Sequence, residues 1–177
     1  VPQADEHNEI ENIKFTSNGD VWDITKIKTE ILSHAGTSGN DTIYAFDGND
    51  VISSGKGLDY LYGGTGNDTY QYNKGDGIDF INEAGGSDIV QLDGGITENQ
   101  VNIIRDASNN LVINIQGGGS IVVNNTFVPD SLSYWLNYTI ESVKFSDGSI
   151  WDLNRIIWET QKIKGGFSDD TVNGTSG

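Results

Sequence analysis

Four nonapeptides that follow one another in phase decide the fold: GTSGNDTIY (36–44), AFDGNDVIS (45–53), SGKGLDYLY (54–62) and GGTGNDTYQ (63–71). Each copy has glycine at its fourth place, aspartate at its sixth and a large apolar residue at its eighth. Glycine accepts the backbone conformations of tight turns, and the middle side chain of a three-residue strand points to the opposite face from its neighbours. The repeat therefore predicts short strands joined by tight turns, with a stacked apolar interior. The in-phase residues are Gly39, Gly48, Gly57 and Gly66; Asp41, Asp50, Asp59 and Asp68; and Ile43, Ile52, Leu61 and Tyr70.

The in-phase aspartates indicate a hard cation. Stacked carboxylates repel, since unit charges at 4 Å cost about 4 kcal/mol at an effective dielectric of 20. Calcium takes about six to eight oxygen ligands from carboxylates and backbone carbonyls in forgiving geometry. Ordinary hairpin turns also use Asn-Asp and Gly-Gly, but they do not require acidic residues in a strict nine-residue phase. No segment fits the EF-hand pattern.

The repeats resemble the G-G-x-G-x-D-x-U-x pattern of the RTX (haemolysin-type calcium-binding) family. YNKGDGIDFINE (72–83) resembles the closing coil of that family. The stretch from about 93 to 153, through DGSIWDL (147–153) and GGGSIVV (117–123), resembles the haemolysin-type calcium-binding-related region that follows such repeats. Ala45-Phe46, Ser54 and Leu58 depart from the pattern, and we expect looser turns there.

The resemblance implies a mainly all-β fold, with a calcium-bound parallel β-roll followed by an antiparallel meander and short capping helices. Two nonapeptides form one coil, so Asp41 with Asp59, and Asp50 with Asp68, are expected on the same edges. Asp59 with Asp76 and Asp79 would form a third site, giving about three Ca²⁺ ions in the roll. The candidate ligands are Gly36, Ser38, Asn40, Asp41, Asp47, Asn49, Asp50, Gly55, Gly57, Asp59, Gly64, Gly66, Asp68, Asp76 and Asp79.

A longer repeat gives the domain organisation. IENIKFTSNGDVWDITKI (10–27) returns as IESVKFSDGSIWDLNRI (140–156) with one residue deleted. Each copy reads as a strand, a turn and a helix that caps a roll, and Asp152 is a plausible N-cap. We expect a tandem array whose parts are 1–35, the tail of a preceding unit with its cap helix; 36–92, the roll; 93–164, the meander and cap helix; and 165–177, the start of the next RTX block.

One face of the roll is predicted to be aromatic. Tyr44, Tyr60 and Tyr62 fall at outward places of the odd copies, whereas the even copies carry mostly polar residues there. We expect this face to be buried against the meander, whose strands lie within 101–127, because two apolar half-cores in one short chain usually meet. A sugar or protein ligand that stacks on the tyrosines is the alternative.

Composition argues against several kinds of partner and site. Asp and Glu number 26 against 10 Lys and Arg, a formal charge of −16, which disfavours nucleic acid as a partner. Cysteine is absent, which excludes disulfides and Cys-ligated metals, and no stretch is long and apolar enough for a membrane span. We find no catalytic constellation.

The resemblance then implies a non-catalytic calcium-binding module of a large type I secreted adhesin or toxin. It would be secreted from, or displayed on, a Gram-negative bacterium and would fold outside the cell. Its partners would be calcium and neighbouring units of the same chain. An accessory module that binds carbohydrate or a host surface is the alternative.

Overall fold

The computed structural model describes residues 10–127 and 139–162, and these ranges are mostly β-structure, as predicted. The predicted RTX block at 165–177 lies outside the described residues. The strands are β1 Asn12–Lys14, β2 Val21–Asp23, β3 Thr42–Tyr44, β4 Val51–Ser53, β5 Gly57–Gly64, β6 Thr69–Tyr72, β7 Gly77–Glu83, β8 Ile89–Leu92, β9 Val101–Arg105, β10 Leu111–Ile115, β11 Ser120–Val123, β12 Ser142–Lys144 and β13 Ile150–Asp152; the helices are α1 Ile24–Ser33 and α2 Leu153–Gln161, with a 3₁₀ turn at Glu98–Gln100.

Successive repeats place their strands alternately in two sheets, which confirms the parallel β-roll. Sheet A has the order β3-β5-β7-β11-β10-β9, and sheet B has the order β13-β12-β8-β6-β4. Within sheet A, β3, β5 and β7 run parallel; within sheet B, β4, β6 and β8 do the same. One turn of the coil therefore takes two repeats.

The eighth-place side chains form the interior of the roll. Leu61 pairs with Ile43 and Ile81 in sheet A, and Tyr70 lies between Ile52 and Val90 in sheet B. All are at most 3% exposed. Apolar burial of this kind contributes about 25 cal/mol per Å², so the repeated eighth place is the main apolar support of the roll.

Glycine lets the turns stack closely. Gly77 has a φ of +110° and lies on the turn below, where an added Cβ would collide with the carbonyl oxygen of Gly57. Gly66 lies in the same way on the carbonyl of Gly48. A side chain at these places would push the coils apart.

The region after the repeats extends both sheets. Strands β9, β10 and β11 form the predicted antiparallel meander, but β11 also pairs in parallel with β7. On the other side, β12 pairs in parallel with β8 and in antiparallel fashion with β13. The post-repeat strands therefore act as a further coil of the roll.

The predicted burial of the tyrosine face is wrong. The meander continues sheet A edge to edge and does not cover it, so Tyr44 is 68% exposed and Tyr60 is 41% exposed. The rings stack on one another instead: Tyr44 on Tyr62 at 4.6 Å between centroids, and Tyr60 on Phe80 at 5.1 Å.

Both predicted cap helices form at an aspartate N-cap. The Asp23 carboxylate accepts a hydrogen bond from the Lys26 amide, and Asp152 does the same for Arg155. Helix α1 packs against β4 at the start of the roll, where Leu32 is buried, and α2 packs on β9 and the β12–β13 hairpin. The domain boundaries themselves stay a prediction.

Candidate metal centre

The turns of the roll fall on two edges. We call the turns that lead into sheet A the first edge and those that lead into sheet B the second edge. On the first edge, the Asp41 amide donates to Asp59 Oδ1 at 2.8 Å across one coil, and Asp59 pairs in register with Asp79. The predicted partners Asp41 and Asp59 therefore do stack. The phase shift at residues 73–79 makes Asp79, and not Asp76, the next member of the stack.

The second edge carries a longer carboxylate ladder. The Asp50 amide donates to Asp68 Oδ1 at 2.8 Å, and the Asp68 amide donates to Asp88 Oδ1 at 2.8 Å. The Asp88 amide in turn donates to Glu141 Oε2 at 2.6 Å. The predicted partners Asp50 and Asp68 stack, and the ladder continues over two acidic residues that the sequence analysis did not include.

Each ladder leaves carboxylate oxygens buried and unpaired within the described residues. These atoms are Asp59 Oδ2, Asp68 Oδ2, Asp79 Oδ1 and Glu141 Oε1. Asp59 and Asp68 are fully buried, and Asp79 is 3% exposed. A buried oxygen with no hydrogen-bond donor costs free energy, and more so when it is charged. The unpaired oxygens therefore fit a cation that replaces the missing donors.

The electrostatics of the acidic residues also favour a bound cation. Burial raises the pKa of Asp79 to about 8, and the charge of Asp59 adds to the shift. Burial likewise raises the pKa of Asp68 to about 6 and that of Glu141 to about 7, with Asp88 contributing to both. Neighbouring carboxylates resist ionising together unless a positive charge lies between them.

Three buried acidic residues of the second edge converge. One oxygen each from Asp68, Glu83 and Asp88 lie within 4.8 Å of one another. Glu83 also accepts a hydrogen bond from the Tyr70 hydroxyl. Burial raises the pKa of Glu83 and that of Asp88. Three carboxylates at this spacing offer the hard oxygen donors that calcium prefers.

The other predicted ligands mostly hold the turns together. Asn40 Oδ1 accepts from the Leu58 amide, and Asn49 Oδ1 from the Asn67 amide, so fifth-place asparagines tie each turn to the next coil. Asp47 accepts from the Thr65 hydroxyl, and Asp76 from the Asn73 amide. Gly36, Gly55, Gly57, Gly64 and Gly66 lie against backbone carbonyl oxygens of neighbouring coils, and Ser38 is exposed in the first turn. A calcium role for these residues stays a prediction.

Sequence reasoning missed three residues of the second edge. Asp88 follows Gly85-Gly86-Ser87 as Asp68 follows Gly66-Asn67, but it comes 20 residues later and not 18. Glu83 stands in register with Gly64 at a place where the repeat has glycine. Glu141 recurs as Glu11 in the long repeat, which was a signal for a role in each unit.

The donor set fits calcium better than magnesium or a soft metal. Among the described residues, the buried candidate ligand atoms are carboxylate oxygens on stacked turns, and neither cysteine nor histidine belongs to the cluster. Calcium tolerates such irregular oxygen sets, whereas magnesium demands a near-ideal octahedron. When bound, calcium supplies positive charge and no redox chemistry. The chain's residues supply the oxygens, and the stacked amides fix the orientation of each carboxylate.

The comparisons with known proteins agree with this geometry. Residues 35–70 and 44–81 match the family model for the RTX calcium-binding nonapeptide repeat (4 copies). Residues 110–155 match the haemolysin-type calcium binding protein related domain. A search of curated proteins found no match to the chain. The chain therefore carries RTX calcium-binding nonapeptide repeats over residues 35–81, followed by a haemolysin-type calcium binding protein related domain over residues 110–155.

Proposed function

We propose that the chain is a non-catalytic structural module of a large bacterial protein, such as an adhesin or toxin, that leaves the cell by type I secretion. Calcium outside the cell then folds it. RTX repeat proteins are typically secreted, and their repeats are generally structural. In the part of the chain that is described, no helix is long and apolar enough to cross a membrane.

The single observation that carries this proposal is the set of buried, unpaired carboxylate oxygens on both edges of the roll. Without calcium, folding buries these groups against one another at a cost that the small apolar interior must offset. With calcium, the same groups become ligands, and the binding free energy adds to the free energy of folding. Low cytosolic calcium would then keep the chain unfolded for export.

Circular dichroism with and without calcium tests the proposal. We expect protein in EDTA to lose most of its β signal and to regain it when calcium is added. Magnesium at the same concentration is the matched control and should restore little, because it dehydrates reluctantly. An unchanged spectrum and melting temperature in EDTA would contradict the proposal.

The exposed tyrosine face favours a second candidate function, the binding of carbohydrate or a host surface. Tyr44 is the most exposed of these rings and lies on β3, at an edge of sheet A. Aromatic rings with a free face stack on sugars. A glycan array in calcium buffer tests this function, with Tyr44→Ala expected to lose any signal and Gln71→Ala, on the opposite sheet, expected to keep it.

A further inference from the structure

The last member of the second-edge ladder comes from outside the repeats. Glu141 precedes β12, 53 residues after Asp88 in the chain. It lies beyond residue 81, where the match to the RTX repeats ends, and within the post-repeat domain. A carboxylate from the region that matches the post-repeat domain thus occupies the next place in the ladder.

Glu141 reproduces the backbone geometry of an RTX aspartate. Along the second edge, the residue after each ladder aspartate donates its amide to the carbonyl of the ladder residue one coil below: Thr69 to the Asp50 carbonyl and Ile89 to the Asp68 carbonyl. Ser142 also donates to the carbonyl one coil below, that of Asp88, at 3.2 Å, and the Glu141 amide shares this carbonyl at 3.1 Å. The parallel pairing of β12 with β8 places Ser142 opposite Ile89 and so continues the register.

Glu141 also reproduces the side-chain geometry. One oxygen accepts the Asp88 amide, as Asp68 Oδ1 accepts the Asp50 amide, and the other oxygen is buried without a partner. Asp68, which is fully buried, shows the same division between a bonded and an unpaired oxygen. Two different residue types in the same arrangement indicate the same ligand.

The unpaired oxygen of Asp68 points into the acidic cluster that it forms with Glu83 and Asp88 of the next coil. A Cβ placed on Gly63 would lie 2.6 Å from Asp68 Oδ2 and 2.5 Å from Glu83 Oε1, so both oxygens surround one small space. Asp88 completes this group and is also the residue that Glu141 contacts. The cluster and Glu141 are therefore successive parts of one acidic column.

We propose that the calcium sites of the second edge continue past the nonapeptide repeats, through Glu83 and Asp88 to Glu141, so that calcium fastens the post-repeat domain to the roll. The inference rests on the proposed function, because it assumes that the repeats bind calcium. It adds ligands from a second domain and a role for the ion at the junction. Removing calcium would then release the β12–β13 hairpin from β8 as well as unfold the repeats.

The long repeat provides a matched control. Glu141→Gln keeps an oxygen for the Asp88 amide but removes the charge. Glu11→Gln makes the same change at the corresponding place of the first copy, where β1 pairs only with β2 among the described strands. Equilibrium dialysis with radioactive calcium measures how many ions each variant binds. We expect E141Q to lose one ion, or to bind it at least tenfold more weakly, and E11Q to bind like the parent.

A second measurement separates a ligand from a merely structural hydrogen bond. If Glu141 binds calcium, E141Q lowers the melting temperature in calcium but does not reduce the residual β signal in EDTA, where it removes a repelling charge. In calcium, the amides of residues 142–144 should also exchange hydrogen faster in E141Q than in the parent chain. Should E141Q fold poorly, Asp88→Asn removes charge from the other side of the same junction and should lose the same ion.

Three results would overturn the inference. They are unchanged calcium stoichiometry and affinity in a folded E141Q (or in D88N, if E141Q does not fold), a loss of structure in E141Q that is as large in EDTA as in calcium, or equal calcium loss in E141Q and E11Q. Failure of the proposed function is distinguishable, because the parent chain would then bind no calcium at all.

Discussion

The two edges of the roll end differently. On the first edge, the residue opposite Asp79 in the next strand is Ile121, a buried apolar side chain. On the second edge, the residue next to Asp88 is Glu141. The post-repeat domain therefore closes one edge with apolar core and extends the other with a further carboxylate.

The difference shows two ways of joining a domain to a repeat array. At the first edge, β11 attaches through backbone pairing and apolar burial, which need no ion. At the second edge, β12 attaches through similar pairing but also brings charge into a buried acidic column. The first junction should tolerate loss of calcium better than the second.

Substitution of the aspartates at the centre of each ladder should cause the largest losses of bound calcium and of stability. Asp59 and Asp68 are fully buried and have a neighbour above and below, whereas Asp50 is only half-buried at the start of its ladder. Losing an ion that is present at 100 times its Kd costs about 2.7 kcal/mol. Asp59→Asn and Asp68→Asn should each lose more calcium and more stability than Asp50→Asn. Calorimetric titration and calcium-bound melts measure both; equal losses in all three would mean that the stacking order does not set the sites.

The pH dependence should reverse with calcium. The pKa of Asp79 is raised from 3.8 to about 8, so in EDTA its neutral form favours the folded state. That contribution is full below about pH 4 and is lost as the pH rises through about 8. We therefore expect the folded fraction in EDTA, measured as the β signal in circular dichroism, to increase from pH 8 to pH 5. In calcium the melting temperature should fall over the same range, because the ligands must be ionised.

Asp79→Asn sharpens this test on the first edge. The variant cannot ionise at residue 79, so its β signal in EDTA should change less with pH than that of the parent. Glu141→Gln should do the same for the second edge, where the pKa of Glu141 is about 7. A parent β signal in EDTA that decreases between pH 8 and pH 5 would contradict the assignment of neutral, buried carboxyl groups.

Close stacking of the turns predicts a smaller loss of stability, on substitution of a glycine. Gly77 and Gly75 both have positive φ, at +110° and +95°, but only Gly77 lies against another turn. Gly77→Ala should cost about 1–3 kcal/mol more than Gly75→Ala, because overpacking adds to backbone strain. Chemical denaturation in calcium measures the difference. Equal costs would mean that strain alone requires glycine here.

The sequence predicted the roll because its determinants are local and periodic. The nine-residue phase specifies which residues turn, which point inward and which coils stack, and all of these follow from backbone geometry. The departures were harder to interpret. Ser54, expected to loosen its turn, is 1% exposed and donates a hydrogen bond to Asp79 Oδ2 at 3.2 Å.

The sequence did not predict the junction, because its contacts are distant in the chain. The pairing of β11 with β7 and of β12 with β8 joins segments about 40 to 50 residues apart, and no periodicity marks the partners. Asp88 was not predicted, because its coil contains two more residues than the coils of the nonapeptide repeats. In the sequence, the only sign of a role for Glu141 was its recurrence as Glu11 in the long repeat.

Substitutions in the tyrosine face of sheet A should cause the smallest loss of stability. Tyr62 is half-buried and stacks on Tyr44 at 4.6 Å, whereas Gln71 occupies the corresponding outward place in sheet B. A stacked aromatic pair contributes about 0.5–1.5 kcal/mol beyond the area it buries. Tyr62→Ala should therefore lower the calcium-bound melting temperature slightly more than Gln71→Ala, and far less than a core change such as Ile52→Ala, which costs about 2–5 kcal/mol.

A double-mutant cycle with Tyr44→Ala isolates the stacking, since the two rings should couple and Gln71 should be independent of both. If Tyr62→Ala instead costs as much as Ile52→Ala, another part of the protein covers this face in solution. The face would then be a packing surface, and the carbohydrate-binding candidate would lose its support.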